Sequence, residues 1–225
     1  MALADYQSLV DSMVRDPDGN IAAGERDQAI DLAVIRYSQD RPVETAEGVV
    51  SAGGNLLDLP AGFVDGFSDI QAIEIPPDQF PPARLANEAW APYMTLTGVK
   101  IMLESPLQAG GTARIFYTLP HTLDGASDTI PTRHMEPVAC WAAAILLEQL
   151  ASLYAGDSLP TIDTDSVDHQ AKSRDYAGRA KTARKRYFDE LGIDPKRNAA
   201  AGTFVNMSLQ QSGGRGFMFK RQSRR

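Results

Sequence analysis

Apolar side chains return at helical spacing twice near the start of the chain. Tyr6, Leu9, Val10 and Met13 fall at i, i+3, i+4 and i+7, and Ile30, Ala33, Val34 and Tyr37 repeat the interval after the turn-forming run Asp16-Pro-Asp-Gly-Asn20. Each stretch predicts a helix with one buried face, near residues 3–14 and 24–40. Arg41-Pro42 stops the second, because proline lacks an N–H and restricts the residue before it. From Pro42 to about Pro120 the period changes. Val99, Ile101 and Leu103 alternate with Lys100, Met102 and Glu104, and Ala113, Ile115 and Tyr117 alternate with Arg114, Phe116 and Thr118. Period two predicts strands, and the link Gln108-Ala-Gly-Gly111 predicts that these two form a hairpin. Leu57 with Leu59, and the apolar run 70–75 ahead of Pro76-Pro77, mark further strands of a small β-module, about four to six in all.

Helical patterning resumes after Pro131. A third helix is expected over 133–155, with Pro137 near its start, where a missing N–H costs little. It is apolar on most sides and must be surrounded by other elements. A fourth is expected over 165–191, ended by Gly192. Asp165 and Asp168 at its beginning and Lys181, Arg184, Lys185 and Arg186 towards its end complement the helix dipole. Beyond Gly192 the chain is rich in Asn, Ala, Gly, Ser and Gln without periodicity, which predicts an extended arm over 193–225. No internal repeat is evident. The element order predicts an α+β fold: a four-helix bundle-like body over 1–192 with an inserted small β-module at about 43–119, followed by the extended C-terminal arm.

Composition narrows the class. The chain has 225 residues, 43% hydrophobic and 23% charged, enough for a sizeable core and unlike a disordered or fibrous chain. One cysteine, Cys140, excludes an internal disulfide and a multi-cysteine zinc site. The first residues lack a basic stretch followed by an apolar one, so no signal peptide is expected. The apolar run 137–147, closed by Glu148 and Gln149, falls short of the about 20 residues a membrane span needs, and no membrane partner is expected. The formal charge of −7 is unevenly spread: residues 193–225 carry +6, so the first 192 carry −13. An acidic body with a basic arm predicts an arm that reaches for a partner.

Candidate chemistry is sparse. Cys140 and His134 could serve as thiol nucleophile and base, but six helical residues put them about 240° apart, and Cys140 lies in the most apolar run of the chain. A core cysteine is expected. His121, His134 and His169 show no spacing that presents two nitrogens to one metal. Asp163, Asp165 and Asp168 resemble part of a calcium loop but lack its glycine and closing glutamate. The glycine clusters at 53–54, 110–111 and 213–216 fit no phosphate-binding pattern. No catalytic residue, cofactor or metal is therefore expected. Lys172, Arg174, Arg179, Lys181, Arg184, Lys185 and Arg186 are spread around the last helix, which reads as a solvated face more readily than as a nucleic-acid stripe. The arm ends in a basic segment holding Arg215, Phe217, Met218, Phe219, Lys220, Arg221, Arg224 and Arg225, whose apolar triplet is expected to dock in a groove on another subunit.

The phrases AVIRYSQDRP (33–42), GNLLDLPAGF (54–63), IEIPPDQFPP (73–82), ARIFYTLPHTL (113–123), WAAAILLEQLASLYAGD (141–157) and SVDHQAKSRDYAGRAKTARKRYFDELG (166–192) resemble the head–tail adaptor, or connector, proteins of tailed bacteriophages. The resemblance spans most of residues 1–192 and rests on structural phrases, not catalytic signatures. It implies a non-enzymatic virion protein, assembled in the host cytoplasm and located in the neck. There a homo-oligomeric ring, commonly of twelve copies, joins the portal of the DNA-filled head to the next neck or tail protein. Genomic DNA would pass through without sequence-specific binding, and an acidic body suits that passage because like-charged walls do not grip a polyanion. The arm residues from Arg215 to Arg225 would bind the portal protein. Two other classes stay open: a hydrolase, which would need a reactive Cys140, and a nucleic-acid-associated or regulatory binding protein using the basic tail.

Overall fold

The computed structural model of the chain describes residues 3–156 and 169–195. Helix α1 is Leu3–Val14, α2 is Ala23–Asp40, α3 is Met135–Gly156 and α4 is His169–Leu191. Six strands lie between α2 and α3: β1 Val43–Val50, β2 Gly54–Leu57, β3 Ile70–Glu74, β4 Trp90–Thr95, β5 Gly98–Leu107 and β6 Thr112–Leu119. They form two three-stranded antiparallel sheets, ordered β1-β6-β3 and β2-β5-β4.

The described chain divides into two compact units. One holds the described residues up to Glu44, Val64–Ser68 and those from Thr118 on; the other holds Thr45–Phe63 and Asp69–Tyr117. This corrects the expectation of a four-helix bundle-like body with a small inserted β-module. The fold is α+β, but two full sheets with buried side chains of their own make the strand region a compact unit in its own right, not an appendage of a bundle.

In the helical unit, α3 is the axis. Val138, Ala139, Ala142, Ala143, Leu146 and Leu150 are all buried, because α1, α2 and α4 pack around it. Its alanines let neighbouring backbones approach closely, and the stretch Thr132–Ala155 is long and apolar enough to cross a membrane by length and composition, with most of that apolar surface covered by the other helices. On α4, Tyr176, Ala180, Tyr187 and Leu191 form the buried stripe. The Tyr187 hydroxyl donates to Asp40 Oδ2 at 2.7 Å, and Arg36 donates to both Asp40 oxygens at 2.9 and 3.1 Å. The buried phenol thus has an acceptor, and its pKa lies well above the ordinary tyrosine value through burial and the Asp40 carboxylate.

Helix ends are closed by side chains from elsewhere in this unit. Arg179 Nη2 on α4 donates to the carbonyls of Met13 and Val14, both at 2.8 Å, satisfying acceptors left open at the end of α1. Arg41 Nη2 does the same for the Leu191 carbonyl at 2.8 Å. Glu25 accepts from the Ala22 N–H at the start of α2. Gly192 takes a left-handed φ of 65° after α4, and the following Ile193 N–H bonds back to the Phe188 carbonyl at 3.0 Å.

In the β unit, alternation decides which side chains are inside: Ile101 and Leu103 on β5, and Ala113, Ile115 and Tyr117 on β6, are buried with Leu57 and Ile73. The expected β5–β6 hairpin is not formed. The chain does turn at Gln108–Gly111, but β5 pairs with β2 and β4 while β6 pairs with β1 and β3. The turn is a corner between sheets. It lies beside the matching β1–β2 corner, where Ser51 N–H donates to the Gly111 carbonyl at 2.8 Å and Gly110 N–H returns to the Ser51 carbonyl at 2.9 Å. Glu47 secures the loop after β2, accepting from the Tyr117 hydroxyl at 3.0 Å and the Ala61 N–H at 3.2 Å; these bonds hold its carboxyl below the usual range.

Replacing Arg179 with Ala should leave two carbonyls at the end of α1 without this donor. We expect a loss of about 1–3 kcal/mol, read as a lower denaturant midpoint with an unchanged slope, and no shift would show that water replaces the guanidinium freely.

Candidate functional site

Cys140 and His134, which the sequence reading set aside as a nucleophile–base pair, are held on different seams of the helical unit. Cys140 is buried where α3 faces α4, at a cleft of about 580 Å³ that Arg174, Gly178, Thr182 and Arg186 border from the α4 side. Burial pushes its thiol up to about 11, against the opposing pull of the Arg186 guanidinium. At neutral pH it is a protonated apolar filler. His134 sits in the short 3₁₀ turn before α3 and faces α2, where its Nδ1 is hydrogen-bonded to the Tyr37 hydroxyl. Burial, together with Arg133 and Arg41, lowers its pKa, so the neutral ring is favoured.

His121 is also structural in its contacts. Its backbone N–H donates to Ser38 Oγ at 2.9 Å, its Nε2 lies 2.8 Å from the Arg41 carbonyl, and its Nδ1 lies 3.1 Å from Thr129 Oγ1. Nε2 donates to the Arg41 carbonyl, and Nδ1 also lies 3.1 Å from the Thr129 carbonyl, so the ring is held from both edges. The side chain of His169, and Asp163, Asp165 and Asp168, lie outside the described residues. Among the described residues no three His, Cys, Asp or Glu side chains gather as a metal site would need.

The basic residues of α4 separate into two sets. Arg179 holds the end of α1, Arg184 pairs with Glu148 at 2.5 Å, Arg186 pairs with Glu136 and with Glu190, and Lys172 lies 4.0 Å from Asp18. These groups brace helices. Arg174, Lys181 and Lys185 are exposed and carry no such pair among the described residues.

Large apolar groups remain exposed at several places among the described residues, among them Val50, Phe80 and Leu153, and twice they gather in pairs or more on one element. On α2, Leu32 and Ile35 face solvent, 45% and 55% accessible. On the β4–β5 hairpin, whose two-residue turn is Leu96-Thr97, Tyr93, Met94 and Leu96 are exposed, while Thr95 Oγ1 fixes the turn by donating to the Gly98 carbonyl at 2.7 Å. The signal was present for α2: Leu32 and Ile35 fall outside the face defined by Ile30, Ala33, Val34 and Tyr37. The arm residues Arg215, Phe217, Met218, Phe219, Lys220, Arg221, Arg224 and Arg225 lie outside the described residues. Cys140 and His134, the thiol and base considered above, are both engaged inside the helical unit.

No family model matches the chain, and no curated protein matches it either.

Two outcomes follow from these environments. In the folded protein Cys140 should react with a disulfide reagent at pH 8 at least about a hundredfold more slowly than in denaturant; equal rates would refute the buried, protonated thiol. Because the folded state lowers the His134 pKa, the unfolded chain takes up the proton first as pH falls through about 6.5, so this residue's contribution to stability is present above that pH and is lost below it. The urea midpoint should therefore drop between pH 7 and 5, and drop less in His134→Gln; equal drops would remove His134 as a source.

Proposed function

We propose that the chain is a non-catalytic structural subunit of a tailed-phage neck, a ring that connects the portal of the DNA-filled head to the tail and lets DNA pass. The observation that carries this reading is the use made of the chemistry-bearing side chains. Cys140, His134, His121 and four of the seven basic residues of α4 are engaged in holding one helical unit rigid, while apolar groups are left on outer faces. A rigid body with exposed contact groups suits an assembly component. The acidic balance of residues 1–192 adds that DNA would be passed, not gripped.

Within this reading the residues from Arg215 to Arg225 form the portal-binding arm. Phe217 and Phe219 would enter apolar pockets, each burial contributing up to about 1.5–3 kcal/mol, and Lys220, Arg221, Arg224 and Arg225 would meet acidic portal surface. Several arms in one ring, commonly of twelve copies, would bind together, because the later arms engage at high effective concentration once the first is held. The β4–β5 hairpin tip supplies exposed apolar groups for the next neck or tail protein.

Truncation after Gly192, and separately the double change Phe217→Ala with Phe219→Ala, should each leave helix content unaltered by circular dichroism yet abolish attachment to DNA-filled heads. Normal attachment by the truncated chain would show that the arm is not the tether.

A further inference from the structure

The two unpartnered helix faces of the helical unit are complementary. On α2 the outward positions are Gln28, Asp31, Leu32, Ile35 and Gln39, which span about 100° of the helix circumference. Asp31, at one edge of this face, has no ion pair among the described residues, and Glu25 lies near the opposite edge at the start of the helix. The face is apolar at its centre and acidic at its edge.

On α4, Arg174, Gly178, Lys181 and Lys185 form one exposed stripe, flanked on one side by exposed Asp175, Thr182 and Asp189; the four have the same 4-3-4 spacing as Gln28, Leu32, Ile35 and Gln39 and lie within about 60° of one another, so that the stripe itself is cationic. The three cations look scattered among seven basic residues in sequence, but they share one stripe once the four internally paired residues are set aside. Gly178 stands in the middle of that stripe. A Cβ built there would meet nothing within 4 Å, so no packing inside the chain calls for glycine. In a helix interior glycine costs about 0.5–1 kcal/mol relative to alanine, and its use here leaves a shallow notch between cations.

We propose that the α2 face of one copy of this chain docks against the α4 face of another, with Leu32 and Ile35 seated over Gly178 and Asp31 meeting Lys181 or Lys185. The occupant is a second copy because of charge. Two α2 faces would bring Asp31 and Glu25 against their own kind, and two α4 faces would bring together Arg174, Lys181 and Lys185, whereas α2 on α4 pairs opposite signs around an apolar centre. Such a contact joins different patches of identical chains, so each copy keeps one free face of each kind and the contact can repeat. The inference deepens the proposed ring and rests on that reading only for closure of the repeated contact.

The experiment uses the full chain in sedimentation velocity, from micromolar to millimolar concentration and at two salt levels. The wild type should associate beyond a dimer, more weakly in high salt. The variant Leu32→Glu with Ile35→Glu, and separately the variant Lys181→Glu with Lys185→Glu, should each raise the dissociation constant at least about tenfold while keeping wild-type circular dichroism. Mixed, the two should form a dimer and nothing larger, because only one intact pair of unlike faces remains. A wild type that stays monomeric throughout, or either variant alone associating with the wild-type dissociation constant, would overturn the proposal. So would binding of duplex DNA that is lost on Lys181→Glu with Lys185→Glu, since it would assign the stripe to nucleic acid. Attachment to DNA-filled heads is read separately: an intact attachment with failed association defeats these faces and leaves the neck reading standing, and the reverse defeats the neck reading alone.

Discussion

A helix that is apolar on nearly every side cannot be stable against water, and α3 is such a helix. The helical unit is the set of elements that relieves this constraint. Its residues from Val138 to Tyr154 are buried over most of the circumference, with Glu148, Gln149, Ser152 and Leu153 among the few open positions. The covering helices come from both sides of the strand region: α1 and α2 precede it and α4 follows α3. The helical core therefore closes only when the whole strand segment has been looped out between its parts, and loop closure grows slowly more costly with length. Burial of α3 is the gain that offsets it.

The polar groups of the unit sharpen that packing into one arrangement. Tyr187, Asp40 and Arg36 tie α4 to α2 beside Trp141, whose ring centroid lies 5.3 Å from the Arg36 guanidinium and 5.5 Å from that of Arg184. Tyr154 donates to Asp18 at 2.6 Å, linking the end of α3 to the turn between α1 and α2; that bond and burial push its pKa up to about 12. Each contact joins distant parts of the chain at a point where hydrophobic packing alone would tolerate sliding. The same use of arginines as braces strips most of α4 of free charge, and the few that remain acquire a direction.

Helices and strands were legible because periodicity is a local property. Tyr6, Val10 and Tyr37 are buried as their spacing implies, and so are Ile101, Leu103, Ala113, Ile115 and Tyr117. Cys140 was legible as a core residue for the same reason: an apolar run on a helix leaves a thiol little water. The sequence by itself thus determined the type of the helices and of most strands, the inward faces of α1, α2, β5 and β6, and the acidic character of residues 1–192.

Tertiary structure alone decided which elements are neighbours. The link Gln108-Ala-Gly-Gly111 is short enough for a hairpin, yet β5 and β6 belong to different sheets, because each strand finds its hydrogen-bonding partners in segments far away in sequence. Alternation shows which side of a strand is buried and says nothing about the strand beside it. Likewise, seven basic residues around α4 have no common face until Asp18, Glu136, Glu148, Glu190 and the end of α1 take four of them; of those partners only Glu190 is local, and the others lie 36 to 166 residues away, where no local pattern encodes them. The free stripe of Arg174, Lys181 and Lys185 is what remains after that pairing. Pairing is non-local, set by which surfaces meet when α3 is covered, so it belongs to the folded molecule and not to any stretch of its sequence.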